Sequence, residues 1–380
     1  MHAVSPLLNT VGAAEWPLTF VRAEGARFTD DTGRGYWDFY GGHAVTLIGQ
    51  GHPSWVDAIT AQAASLSFMT TIARLPVRER AAEALCSFTG MDVAWFVNSG
   101  AEANEAALKM ARKATGRSVI VAMENGFHGR TMGALGVTWK YRDQHAPVHG
   151  TTRFVPFGDL EALDSALRGD VAAVITEPIQ GIAGVVVPPA GWLAAVHERC
   201  LANGSMLICD EVQSGVGRTG APLACTGQGV HPDIVTLGKG LGGGFPVAAV
   251  LMTEAVADTV APGEHGSTFG GGPLACAAIE ATLGIIASED LLSRATALGE
   301  QMHRELQMPG VLQVRGSGVW IALVLDRPAG PIATELREGG FLVGTATDPA
   351  VLRLAPPAVL PAHAVTALAA ALRDALESTP

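Results

Sequence analysis

SMLICDEVQSGVGRTG, Ser205–Gly220, is an apolar run that stops on two carboxylates and breaks into a glycine-punctuated turn. A short run of this kind suits a strand buried on both faces, and the polar residues that end it then lie at the edge of a sheet. The same grammar recurs along the chain. VAWFV (Val93–Val97) leads into NSGAEANEAALK, SVIVAM (Ser118–Met123) into ENGFHGR, VAAVIT (Val171–Thr176) into EPIQG, and DIVTL (Asp233–Leu237) into Gly238 and Lys239. VAAVLM (Val247–Met252) is a further strand of this type. Helix-like segments such as AEANEAALKMARKAT (Ala101–Thr115) and PAGWLAAVHERCLANG (Pro189–Gly204) lie between them. Alternation of buried strands with helices predicts an α/β fold, a mostly parallel sheet covered by helices. Residues 50–280 are expected to form this large domain. Residues 1–49 and 281–380, with shorter strand-like pieces such as ARFTDDTGRGYWDF and VWIALVL, are expected to form a smaller α+β domain from both termini.

The chain has 380 residues, 48% of them hydrophobic, and a formal net charge of −11. That is enough apolar material for a large core, and the interspersed charges lack the basic footprint that nucleic acid requires. Five cysteines, Cys86, Cys200, Cys209, Cys225 and Cys276, are scattered and never form a CxxC pair. They point to reduced thiols in a cytoplasmic protein, with neither a disulfide framework nor a structural zinc site. The start, MHAVSPLLNT, lacks the basic and apolar regions of a signal peptide, and no apolar run reaches the ~18 to 20 residues a bilayer demands.

In open α/β sheets ligands bind beyond the carboxyl ends of the strands, so the residues after each run are candidates for chemistry. NSGAEANEAALK opens a helix with small residues, so Ser99, Gly100 and Ala101 either cradle a phosphate on free backbone N–H groups or form an ordinary capped helix start. Asp210 ends a strand where an unpaired charge is costly. It either contacts a cationic ligand or pairs with an arginine such as Arg218, while Glu211 points to the opposite face. Lys239 sits in TLGKGLGGGFPVAAV (Thr236–Val250) between an apolar strand and glycines. Desolvation there lowers the lysine pKa and frees an amine able to form a Schiff base; the alternative is an amine that reaches solvent. An anion, a lysine and a phosphate cradle at three strand ends are together what pyridoxal phosphate requires.

NSGAEANEAALKMAR, FHGRTMGAL, EPIQG, DEVQSGVGRTG, TLGKGLGGGFP, GSTFGGGPLA and LRLAPP resemble the successive signatures of class III, ω-type aminotransferases of fold type I, in particular the acetylornithine aminotransferase group. The resemblance implies pyridoxal 5′-phosphate as cofactor, with Lys239 bonded to its aldehyde and Asp210 paired with its ring nitrogen. It places Gln213 at the phenolic oxygen, Phe127 and Val212 on the two ring faces, and Ser99, Gly100 and Ala101 at the phosphate. Thr268 corresponds to a threonine that reaches the phosphate of the neighbouring subunit, which implies a homodimer with shared sites. Arg130 corresponds to the arginine gripping the remote carboxylate of an ω-amino substrate, and Arg353 to the one binding the carboxylate of 2-oxoglutarate or glutamate. Glu177, His43 and Tyr40 fall where substrate-facing residues are placed.

Three departures stand out. Ile182 occupies the position after EPIQG where the family usually carries a glutamate, so the device that masks the arginine at Arg353 must differ or be lost. Gly272 replaces a usual asparagine, and GQGHP (Gly49–Pro53) carries an insertion. The activity implied is transfer of the terminal amino group of N-acetylornithine, or of another diamino acid with a blocked α-amine, to 2-oxoglutarate, as in amino-acid biosynthesis. Presentation of the substrate by an amino-group carrier protein, and aminomutase or racemase chemistry on the same scaffold, are the alternatives.

Overall fold

The computed structural model describes residues 15–145 and 150–378. The start of the chain, read above as lacking a leader, lies outside the described residues, as do the first fourteen residues assigned to the smaller domain. Seven strands form the central sheet, in the spatial order Val93–Val97, Ala248–Met252, Ile234–Leu237, Met206–Asp210, Val171–Thr176, Val119–Met123 and Thr152–Val155. Every pairing is parallel except the two made by Ala248–Met252. Six of the seven strands correspond to the apolar runs above. Thr152–Val155 escaped because this edge strand has four residues, two of them polar, and only Val155 is buried. Val171–Thr176 is buried at every position, as a strand covered on both faces by helices must be.

Local rules set the helices. Gly100–Thr115 starts at Ser99, whose hydroxyl accepts from Glu102 N at 3.3 Å, and ends at Gly116 in a left-handed conformation. Its alanine-rich face is buried. The helix expected over Pro189–Gly204 runs Trp192–Asn203, because Gly191 before it has φ of 77°. A helix continues unbroken from Pro273 to Ser288, across the expected boundary between residues 280 and 281.

Two further sheets use the rest of the chain. Gly35–Asp38, near the start, pairs in parallel with Phe341–Leu342, near the end, so both ends of the described chain meet in one sheet. The other sheet places Val351–Leu354, which carries Arg353, between Trp320–Leu325 and Gly344–Thr345. All five cysteines are unpaired. Among the described residues no helix is long and apolar enough to cross a membrane.

Candidate active site

The strands ending at Val97, Met123, Thr176, Asp210 and Leu237 deliver their following residues to one cavity of about 300 Å³. Gly100, Ala101, Phe127, Arg130, Glu177, Asp210, Val212, Gln213 and Lys239 all line it, as does Ile182. Gly100 is required by the packing: a Cβ there would stand 2.6 Å from a Val212 methyl carbon. Its N–H and that of Ala101 belong to the first turn of a sixteen-residue helix, where backbone donors lack intrahelical acceptors and the helix dipole favours an anion. Ser99 is exposed and uses its hydroxyl as the helix cap, so of the three expected phosphate residues two line the cavity wall.

Asp210 is almost fully buried, and Arg218 is not its partner. Arg218 donates instead to the backbone carbonyls of Ala44, Ala355 and Pro356. The Asp210 carboxylate takes hydrogen bonds from His128 Nδ1 at 2.7 Å, Asn104 Nδ2 at 2.8 Å and Val212 N at 3.0 Å. Asn104 is oriented in turn by Thr236, whose hydroxyl donates to Asn104 Oδ1 at 2.8 Å. Burial works to raise the Asp210 pKa, but the bond and charge of His128, with Val212 N–H and Asn104, hold it below the ordinary carboxylate value. The result is an anion kept ionised inside the protein. Glu211 faces away, accepting from Cys225 N and the Ser214 hydroxyl, in keeping with strand alternation.

His128 and Asn104, which line the cavity and bond Asp210, were not among the residues expected there. Asn104 had a readable signal, since it interrupts an alanine face and is 1% exposed. His128 lies between Phe127 and Arg130, and its link to Asp210, 82 positions later, is tertiary.

Lys239 follows its strand with φ of 43°, an uncommon conformation for a residue with a side chain. Its amine opens into the cavity and makes no hydrogen bond or ion pair among the described residues. Burial lowers its pKa; the charges of Asp210 and Glu177 oppose this and Arg353 adds to it. A lysine in this condition yields its proton more readily than a solvated one, and the amine left behind is the nucleophile.

Glu177 lies 5% exposed and spends both oxygens on the backbone, accepting from Phe127 N at 3.0 Å and Gly181 N at 2.9 Å. Burial pushes its pKa up to about 7. Its geometry ties the Phe127 loop to the Gly181 loop, which makes it a support for the cavity wall. Gln213 is buried beside it and donates to the His43 carbonyl.

Arg353, Tyr40 and His43 line a second cavity, of about 630 Å³, rather than the first. The two adjoin, because Arg353 donates to Thr345 O at 2.7 Å and Gly181 O at 3.3 Å, next to Ile182. His43 belongs to a left-handed turn, Gly41–Ala44, and packs edge-on to Tyr40 with centroids 4.8 Å apart. Gly41 is essential there, since a Cβ would stand 2.0 Å from the Ala355 carbonyl oxygen. Burial, with the charges of Arg353 and Lys239, lowers the His43 pKa to about 4, so its ring is neutral at pH 7. Thr268 is exposed and lines neither cavity.

A phosphorylated pyridinium aldehyde fits this donor set. The cavity offers a buried anion for a protonated ring nitrogen, an unbonded amine for an aldehyde, helix N–H groups for a phosphate, and Phe127 and Val212 as walls. The comparisons agree. The family model for class-III aminotransferases matches residues 9–376. An acetylornithine aminotransferase of Mycolicibacterium smegmatis is 44% identical, covering 98% of this chain and 96% of that protein. The ornithine aminotransferase of Toxoplasma gondii superposes with a TM-score of 0.92 at 32% identity, over 97% of this chain and 93% of the other. An amine transaminase from an uncultivated Pseudomonas species, solved in its pyridoxal-phosphate-bound form, gives 0.91 at 31% identity over 100% of both chains. The chain therefore belongs to the class-III aminotransferases, pyridoxal-phosphate-dependent enzymes of fold type I.

Proposed function

We propose that this aminotransferase moves the terminal amino group of N-acetylornithine, or of a close relative whose α-amine is blocked, to 2-oxoglutarate, giving a semialdehyde and glutamate. The observation that carries this reading is one accessible amine, Lys239, served by two guanidinium groups in adjoining cavities, Arg130 and Arg353. Donor and acceptor each bring a carboxylate that must be held at a fixed distance from the reacting carbon.

Pyridoxal phosphate, when bound, supplies an aldehyde for the amino group and a ring that delocalises the electron pair released at the substrate carbon. Lys239 would hold the aldehyde carbon between turnovers and, once displaced, take the proton from the donor's amine-bearing carbon and deliver it across the nitrogen to the carbon that had been the aldehyde's. Asp210, kept anionic by His128 and Asn104, would hold a proton on the ring nitrogen. Phe127 and Val212 would fix the ring plane and exclude water above the reacting bond. Gly100 and Ala101 would carry the phosphate on backbone N–H groups. Arg353 would take the acceptor's carboxylate, and Ile182 leaves an apolar wall where a carboxylate would compete for that guanidinium.

Arg130 tests the reading. Arg130→Ala should weaken N-acetylornithine, as kcat/KM, by roughly 10- to 100-fold, the value of a charged hydrogen-bonded contact. A simple ω-amine without a carboxylate should change little. Equal losses for both amines would remove the role given to Arg130.

The same reading extends to a homodimer in which Thr268 serves the phosphate site of a second copy. Phe269 beside it is 65% exposed, packs on Phe68, itself 43% exposed, at 5.3 Å, and lines an apolar cavity of about 610 Å³ with Phe245 and Leu274. Aromatic surface of that kind marks an interaction face. Sedimentation of the cofactor-loaded protein as a monomer would exclude this arrangement. The free small molecule is taken as donor in preference to a carrier-linked one, and the five free thiols fit a reducing cytoplasm.

A further inference from the structure

We infer that Tyr141 is a positioning residue that presents the Arg130 guanidinium to the donor's carboxylate, an inference that rests on the role proposed above for Arg130. Arg130 is exposed and makes no ion pair or hydrogen bond among the described residues, so no polar group among them aims it. What it does have is a ring beneath it. The guanidinium carbon stands 4.4 Å from the centroid of Tyr141, within cation–π range. Tyr141 in turn meets Phe127 edge-on, with centroids 6.2 Å apart and planes at 88°. Phe127 and Arg130 both line the cavity, so one ring connects the wall that would cover the cofactor with the group that would hold the substrate.

The backbone around Tyr141 is fastened for this task. Trp139 N donates to Gly126 O at 3.0 Å, and the Trp139 ring packs on Phe154 at 5.2 Å. Arg142 lies over the same Phe154 ring at 4.1 Å. Between these two anchors Tyr141 is held at φ of 73°, a conformation a residue with a side chain adopts at some energetic cost. Stacking occupies the face of a guanidinium and leaves its edge free, and the edge is what binds a carboxylate in bidentate fashion. A long side chain already parked on a ring gives up less rotamer freedom on binding. Tyr141 therefore acts through Arg130 on donors that carry a carboxylate, and has nothing to offer those that do not.

The test uses cofactor-loaded protein and two donors, N-acetylornithine and a simple amine lacking a carboxylate. Tyr141→Leu should raise KM for N-acetylornithine roughly three- to thirtyfold, with kcat within about twofold and the simple amine unaffected. Calorimetry should show the same loss for N-acetylnorvaline, which is N-acetylornithine without its terminal amine. Tyr141→Phe keeps the ring face and should restore affinity to within about twofold. Equal loss with both donors would make Tyr141 a packing residue for Phe127, and a Phe variant as poor as Leu would make the hydroxyl a direct ligand; either result overturns the inference. If Arg130→Ala discriminates between the donors and Tyr141→Leu does not, this inference alone falls. If neither discriminates, the grip assigned to Arg130 falls with it.

Discussion

Lys239→Ala protein should take up pyridoxal phosphate and yet turn over at least about 10⁴-fold more slowly than the parent, in both half-reactions. The size of the loss follows from two jobs resting on one amine. Among the described residues Lys239 is the only lysine lining the cavity, and burial has already weakened its hold on the proton. The nearby titratable groups are engaged elsewhere. Asp210 is held ionised below the usual range by three donors, Glu177 spends both oxygens on backbone N–H groups, and His43 has its pKa lowered to about 4 and lines the other cavity. Lys239→Arg separates charge from proton transfer, because a guanidinium keeps the cation but does not give up its proton. It should be as inactive as the alanine variant. Single-turnover kinetics on reconstituted protein checks both, and activity above about one per cent of the parent in the arginine variant would contradict the assignment.

Asp210→Asn should lower kcat by about 10²- to 10³-fold, the range seen when one preorganised electrostatic contact at a reacting centre is lost. The damage has a second component that is local. Asp210 Oδ2 accepts from both His128 Nδ1 and Asn104 Nδ2 and Oδ1 accepts from Val212 N, so a carboxamide at that place would turn its NH₂ group either towards the first two donors or towards Val212 N–H. An unsatisfied donor inside the fold costs about 1 to 3 kcal/mol, so affinity for the cofactor should fall along with kcat. Titration of the apoprotein with pyridoxal phosphate reads the first quantity and steady-state kinetics the second. A variant with unchanged kcat would show that the ring nitrogen does not depend on this anion.

Much of this site was legible because strand ends announce themselves. A strand of a sheet covered by helices is mostly apolar, so Val97, Met123, Thr176, Asp210 and Leu237 mark where the chain leaves the sheet, and the residues after them share one edge. What the pattern could not carry was anything that depends on the path between strands. Thr152–Val155 is short and largely polar on its exposed side, so no periodicity marks it. The pairing of His128 with Asp210 joins two loops, and the stacking of Arg130 on Tyr141 joins two parts of one long connection. Neither leaves a trace in spacing. The separation of Arg353, Tyr40 and His43 into an adjoining cavity depends on how the sheet holding Val351–Leu354 sits beside the central one. Asn104 is the instructive middle case: a polar side chain on an alanine face must be satisfied inside the fold, and here it is satisfied by Asp210 and Thr236.

The central claim is that one amine, one buried carboxylate and a carboxylate grip together make this chain a transaminase for an α-blocked diamino acid. The visible spectrum of the cofactor-loaded protein, recorded while N-acetylornithine is added with no acceptor present, tests it most directly. The yellow band should bleach in one stoichiometric step and return on addition of 2-oxoglutarate. A band that N-acetylornithine leaves unchanged would contradict the donor, and a protein that develops no band with pyridoxal phosphate would contradict the place of Lys239 itself.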